Sequence, residues 1–156
     1  MKGRILACFL LVFCLLAGCG DHYPEGTVKV HKDLTVILPG DFIELTNGEN
    51  ADFLYGRNTL VVKGLAESKE QLKQMSLKEY SEAVAKQKNA TPTPSGDGYV
   101  FTYEAAVGDT EYAYTVATYE GPENFWILQF YCPKENLAEN QPEINIILEG
   151  IQPKIS

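Results

Sequence analysis

From Thr27 the apolar positions run "TVKVHKDLTVILPG", with Val28 and Val30, then Leu34, Val36 and Leu38, on one parity. A two-residue repeat of β-branched and aliphatic residues predicts extended chain with one face in a core, and Pro39-Gly40 ends it. Asn47-Gly48, a dipeptide that accepts positive φ at both turn positions, leads into a predicted strand near 51–55. "YGRN" (55–58) turns the chain again into a short strand over 59–63. At Ser76 the repeat changes. Leu77, Tyr80, Ala83, Val84 and Gln87 share one helical face, apolar except for the glutamine. Ser76 and Glu79 form an S-x-x-E capping box, so a helix is predicted over 76–88. The next ten residues, "NATPTPSGDG", hold two prolines and two glycines and predict an exposed loop.

Three aromatic-rich strands follow, 99–105, 110–119 and 125–132, joined by Gly108-Asp109 and by "EGPEN". Connections this short imply an antiparallel meander. On the last strand Trp126, Leu128, Phe130 and Cys132 share one face, and Phe125, Ile127, Gln129 and Tyr131 the other. Both faces are largely apolar, which predicts a central strand covered on both sides. A closing helix is expected, capped by Asn140 or Gln141, with Pro142 in its first turn and Gly150 as its stop. Its stripe of Ile144, Ile147, Leu148 and Ile151 suits one face of the meander.

The N-terminus departs from these patterns. Lys2 and Arg4 precede an apolar run from Ile5 to Leu16, the layout of an export signal. A bilayer span needs roughly 20 apolar residues, more than this run supplies. Leu16-Ala17-Gly18-Cys19 resembles the bacterial lipobox. Small residues at Ala17 and Gly18 admit a peptidase, and the Cys19 thiol is the nucleophile that takes a thioether-linked lipid. The resemblance implies cleavage after residue 18, a diacylglyceryl group on Cys19 and stable membrane anchoring by two chains. The chain thus divides into a signal (1–18), a lipidated tether (19–27) and one domain (28–156), placed in the cell envelope on the extracytoplasmic side of a bacterial membrane.

Processing alters the charge. Of 13 basic residues Lys2 and Arg4 leave, so 11 face 21 acidic ones and the net charge falls from −8 to −10. Such a surface argues against nucleic acid and against electrostatic binding to anionic lipid. Cys8 and Cys14 leave as well, so Cys132 is the one free thiol and no internal disulfide can form.

The order of "LTVILPGDF", "TLVVKG", the capped "SLKEYSEAV", the "GYVFTYEA", "EYAYTVATYEG" and "FWILQFYCPKE" strands and a final amphipathic helix resembles the PsbP-like superfamily. That superfamily includes Ran-binding Mog proteins, DcrB-type lipoproteins and actinobacterial lipoproteins. The resemblance covers about residues 28–151 and rests on element order. It implies an α+β fold, an antiparallel sheet with helices on both faces (an α/β/α sandwich). It carries over no catalytic residues, because members mostly bind or assist other proteins.

Candidate chemistry is sparse. His22, His31 and Cys132 have no zinc-ligand spacing, and the oxygen-rich Glu44, Asn47, Glu49, Asn50 and Asp52 lack the EF-hand pattern, so no metal or cofactor is implied. Cys132 would be an activated thiol only with His31 beside it; a lone cysteine ending an aromatic strand is ordinarily a buried apolar group. Tyr99, Tyr103, Tyr112, Tyr114, Tyr119 and Tyr131 all fall in the meander. They read first as cross-strand packing. The sharper alternative is a partly open face, with Tyr99, Tyr103, Tyr112, Tyr114 and Tyr131 as candidate binding residues. The expected function is non-enzymatic: binding a partner protein or assisting envelope assembly. The alternative is a small-molecule module with a cavity between the meander and the 76–88 helix.

Overall fold

The computed structural model describes residues 26–46, 50–72 and 75–154. The lipobox residues Leu16, Ala17 and Gly18, the lipidation site Cys19, the tether as far as residue 25 and the Asn47-Gly48 turn lie outside these residues.

Chain order begins with β1 (Thr27–His31), β2 (Leu34–Leu38), β3 (Ile43–Glu44), β4 (Phe53–Arg57) and β5 (Leu60–Ser68). Helix α1 (Leu77–Lys86), β6 (Thr93–Ser95), β7 (Gly98–Val107), β8 (Thr110–Glu120) and β9 (Asn124–Pro133) follow, then α2 (Leu137–Glu149) and β10 (Gln152–Pro153). Seven strands form one sheet in the order β3-β4-β5-β9-β8-β7-β6, and β1-β2-β10 form a second, smaller one; all pairings are antiparallel. β9 occupies the middle of the large sheet, as its two apolar faces require.

One face of the large sheet presents Phe53, Tyr55, Val62, Trp126, Leu128 and Phe130 to α2 and to Leu34, Val36 and Leu38 of the small sheet. Ile144 and Ile147 of α2 are buried there, as their spacing predicts. The opposite face packs Phe101, Val116, Phe125 and Ile127 against Tyr80 and Ala85 of α1. Helices therefore cover both faces of an antiparallel sheet, and the small sheet shares the α2 layer. The two cores and the strand pairings of the described residues are built from residues 26–154.

Asp33 ties the layers together. It sits in the β1–β2 turn, 7 % exposed, and accepts hydrogen bonds from the Glu123 and Asn124 amides at 2.9 and 3.0 Å, the Asn124 side chain at 3.1 Å and the Trp126 indole at 2.7 Å.

Several elements depart from the sequence pattern for identifiable reasons. Val28 and Val30 do not share the core face of Leu34, Val36 and Leu38; each is 58 % exposed. A two-residue turn pairs His31 with Leu34, and paired residues share a face, so parity inverts at the turn and Lys29 and His31 point inward instead. The 93–95 stretch, expected as loop, adds an edge strand beside β7, where Pro94 is tolerated because an edge position has no ladder bond to lose. The last helix starts before the predicted cap, at Leu137 after a 3₁₀ turn over Lys134–Asn136, leaving Pro142 inside it. Asn140, rather than capping, is buried and donates to the Asn136 carbonyl and to Thr59, each at 3.0 Å.

The capping box of α1 forms as predicted, with Ser76 accepting from the Glu79 amide and the Glu79 carboxylate accepting from the Ser76 amide. Its packed line differs. Ser81 and Ala85 are buried against the sheet, while Ala83 and Gln87 are exposed.

Candidate binding site on the tyrosine face

β-strand register puts Tyr103, Tyr114, Tyr131, Val61, Gly56 and Ile43 opposite one another in a single row across six strands. Tyr112, one step along, faces Ala105 and Pro133 on the same side. This is the side that α1 packs on, but α1 lies over the other end of the strands, at Phe101, Val116 and Phe125. The four tyrosines are half-buried, and Ile43 and Val107, on their side of the sheet, are 64 % and 60 % exposed.

The rings order one another. Tyr103 and Tyr114 stack with centroids 4.5 Å apart and planes 3° from parallel, Tyr114 and Tyr131 stack at 5.4 Å, and Tyr112 meets Tyr131 edge-on at 6.4 Å. Lys88, just past α1, holds its ammonium 5.2 Å from the Tyr103 ring centre, within cation–π range. Burial, then the neighbouring Tyr114, pushes the Tyr103 hydroxyl up to about 12. Tyr114 and Tyr131 are raised as well, by burial first and then by adjacent tyrosines. These hydroxyls stay protonated at neutral pH, able to donate and to accept. The result is a rigid aromatic platform suited to stacking against aromatic, proline or guanidinium groups, with hydrogen-bonding capacity between the rings.

Four of the five candidate tyrosines, Tyr103, Tyr112, Tyr114 and Tyr131, thus come together. Tyr99 does not: it pairs with Thr118, near the α1 end of the sheet. Tyr119 points to the other face and is buried in the α2 core. Cross-strand packing and partial exposure coexist in the cluster. Val61 and Ile43 were missed, because only long-range register shows that two other segments extend the row.

The nucleophile reading fares differently. His31 stacks on Phe53 with centroids 4.1 Å apart and lies 3.2 Å from the Tyr55 hydroxyl, whereas the thiol of Cys132 interacts with Asn140. Burial lowers the pKa of His31 and raises that of Cys132. An activated Cys–His pair needs the reverse of both. Cys132 is 0 % exposed, so iodoacetamide at pH 8 is expected to label it no faster than the domain unfolds. Labelling of the native protein at the rate of a free thiol would contradict this. Among the described residues no three His, Cys, Asp or Glu side chains gather as a metal cluster, and no helix is long and apolar enough to cross a membrane.

No protein-family model matches the chain, and no curated protein does. Solved structures are similar in fold. A protein from Bacteroides thetaiotaomicron superposes with a TM-score of 0.58 at 15 % identity over 80 % of this chain, which spans 46 % of that protein's length. LpqN of Mycobacterium tuberculosis, described as involved in cell envelope biogenesis, gives 0.52 at 10 % identity, covering 86 % of this chain and 88 % of its own. Cyanobacterial PsbP (CyanoP) from Synechocystis gives 0.54 at 8 % identity, covering 88 % and 98 %. Likeness at these identities speaks to architecture, and the fold is PsbP-like.

Proposed function

We propose that this protein is a lipid-anchored, extracytoplasmic, non-enzymatic domain that docks on a partner protein of the bacterial envelope through its open tyrosine face. The observation that carries the reading is the row of stacked tyrosines continued by Val61 and Ile43 across the uncovered part of the sheet. Aromatic rings already ordered by one another lose little entropy on binding, which is why such residues dominate interface energetics. The lipobox-like Leu16-Ala17-Gly18-Cys19 supports the anchor, and the envelope role of the mycobacterial neighbour supports the compartment. A tether over residues 19–27 reaches at most about 30 Å when extended. The partner is therefore a membrane protein or one held close to the membrane.

The test places a photo-crosslinking amino acid at Tyr112 in the full chain, in bacterial membranes, with the same residue at Glu139 on α2 as control. One discrete protein adduct from position 112, absent from position 139, is expected. Tyr114→Ala combined with Tyr131→Ala should reduce that adduct at least about tenfold, as loss of a central aromatic anchor does. Equal adducts from both positions, or none, would remove the docking face from the proposal. Intact mass of the membrane-extracted chain tests the anchor separately: a product starting at Cys19 with a free thiol would refute it.

A further inference from the structure

Part of the apolar stripe of α1 borders a cavity between the helix and the sheet. Ser81 and Ala85 are small and fully buried, and the Ser81 hydroxyl lies 2.6 Å from that of Thr118, so the helix is pinned to the sheet along this line. Beside that line, Tyr80, Ala83, Val84 and Gln87 of the helix and Leu65, Phe101, Val116 and Ile127 of the sheet border a cavity of about 370 Å³. The four helix residues are among the five, with Leu77, whose spacing puts them on one face of the helix. Cavities of this size and lining are those that take small molecules.

Tyr80 supplies a second, independent observation. Its ring stacks on Phe125 with centroids 4.6 Å apart and is 2 % exposed, yet its buried hydroxyl has no hydrogen-bond partner among the described residues. An unpartnered buried hydroxyl is costly, and such groups are uncommon in folded proteins. Burial first, and then Glu67, by its charge and as an acceptor lying beyond ordinary hydrogen-bond distance, pushes this phenol far above its ordinary range, so it stays a donor at neutral pH. Glu67 also lines the cavity, and Lys88 and Tyr103 stand with it on the polar part of the lining.

We infer that this cavity is a binding site for a small, uncharged, mainly apolar molecule that offers one hydrogen-bond acceptor, a carbonyl or ether oxygen, to the Tyr80 hydroxyl. At roughly 30 Å³ per water-sized group, the volume admits about a dozen non-hydrogen groups. A carboxylate at Tyr80 is disfavoured, because its charge would sit beside Glu67, while the Lys88 ammonium stands at the Tyr103 side of the cavity. The site is distinct from the tyrosine platform and meets it only at Tyr103 and Lys88.

The probe is 2-acetylnaphthalene, a neutral ketone of fitting size, titrated into the domain from residue 19 onward with Cys19→Ser and followed by amide chemical shifts. Saturable binding with shifts centred on Val84, Phe101 and Ile127 is expected. Tyr80→Phe should weaken the ketone about five- to tenfold while leaving 2-ethylnaphthalene, which has no acceptor, unaffected. The anion 2-naphthoate should bind more weakly than the ketone, and Ala83→Trp, at an exposed position on the cavity rim, should abolish all binding. Absence of saturable ketone binding, equal affinity in Tyr80→Phe or in Ala83→Trp, or tighter binding of the anion would each overturn the assignment. Because the readout uses the isolated domain and a small molecule, it succeeds or fails independently of any protein partner.

Discussion

Asp33→Ala is expected to remove about 3–5 kcal/mol of folding stability, enough to leave many domains of this size mostly unfolded at 37 °C. The carboxylate accepts four hydrogen bonds from the β8–β9 turn and β9. Removing it strands at least one donor with no alternative, the indole N–H of Trp126, whose side chain is 0 % exposed. It also removes the polar link between the β1–β2 turn and β9, one of the contacts that join the small sheet to the large one. Asp33→Asn keeps the shape but presents a carboxamide NH2 donor where N–H donors already point, so an intermediate loss of about 2 kcal/mol is expected. Urea midpoints of the three proteins measure this, and a loss under about 1 kcal/mol for alanine would refute it.

The same residue sets an acid limit. Burial by itself would raise the Asp33 pKa, but the hydrogen bonds from Glu123, Trp126 and Asn124 outweigh it and hold the folded value below the ordinary one. A folded pKa below the unfolded value of about 3.9 means the stabilisation is complete above that pH and is lost as pH falls through the folded value. Between pH 5 and 2 the native domain should therefore lose stability more steeply than Asp33→Asn, and identical slopes would show that Asp33 does not carry the effect.

The meander, the central two-faced β9 and the capped α1 were legible because each rests on local signals: short turns, unbroken apolar runs and a four-residue cap. What failed were inferences that cross a turn or depend on a partner element. Val28 and Val30 share parity with Leu34, but the two-residue turn between them inverts facing, and no periodicity argument survives that inversion. Pro142 resembles a first-turn proline, yet Lys134–Asn136 starts the coil earlier and Asn140 turns inward to Thr59, a residue 81 positions away. Two-residue β10 carries no pattern to detect, and it exists only because β2 has a free edge.

The candidate site divides the same way. Tyr112, Tyr114 and Tyr131 lie on strands whose order the short turns reveal, so their convergence could be anticipated. Separating them from Tyr99 needs the knowledge that α1 covers one end of the strands only. The α1 stripe is a subtler case. Its residues share one helical face, but periodicity alone does not tell which of them meet the sheet and which border a cavity. Ser81 and Ala85, outside the stripe, are buried against the sheet together with Tyr80, while Ala83, Val84 and Gln87 border the cavity.

Gly64→Ala should destabilise the domain by about 3 kcal/mol, at the upper end of what a single added methyl does in a packed interior. Gly64 lies on β5 directly opposite Phe53 and is flanked on its other side by Leu128 of the central strand. The Phe53 ring lies across it, so a Cβ at residue 64 would fall 2.2 Å from two ring carbons. The ring cannot retreat cheaply: His31 stacks on it at 4.1 Å and the Trp126 ring centre is 6.0 Å away. Relief must come from the backbone or from the aromatic cluster as a whole. Phe53→Leu alone should also destabilise, but combined with Gly64→Ala it frees the space the methyl needs. The double variant should then be more stable than the sum of single losses predicts by over about 1 kcal/mol. The His31 ring protons, stacked on Phe53, should shift in Gly64→Ala and return toward native values in the pair. Additive losses with an unmoved His31 signal would mean the sheet absorbs the methyl by twisting, and the close approach of Phe53 to Gly64 would not be what holds these strands in register.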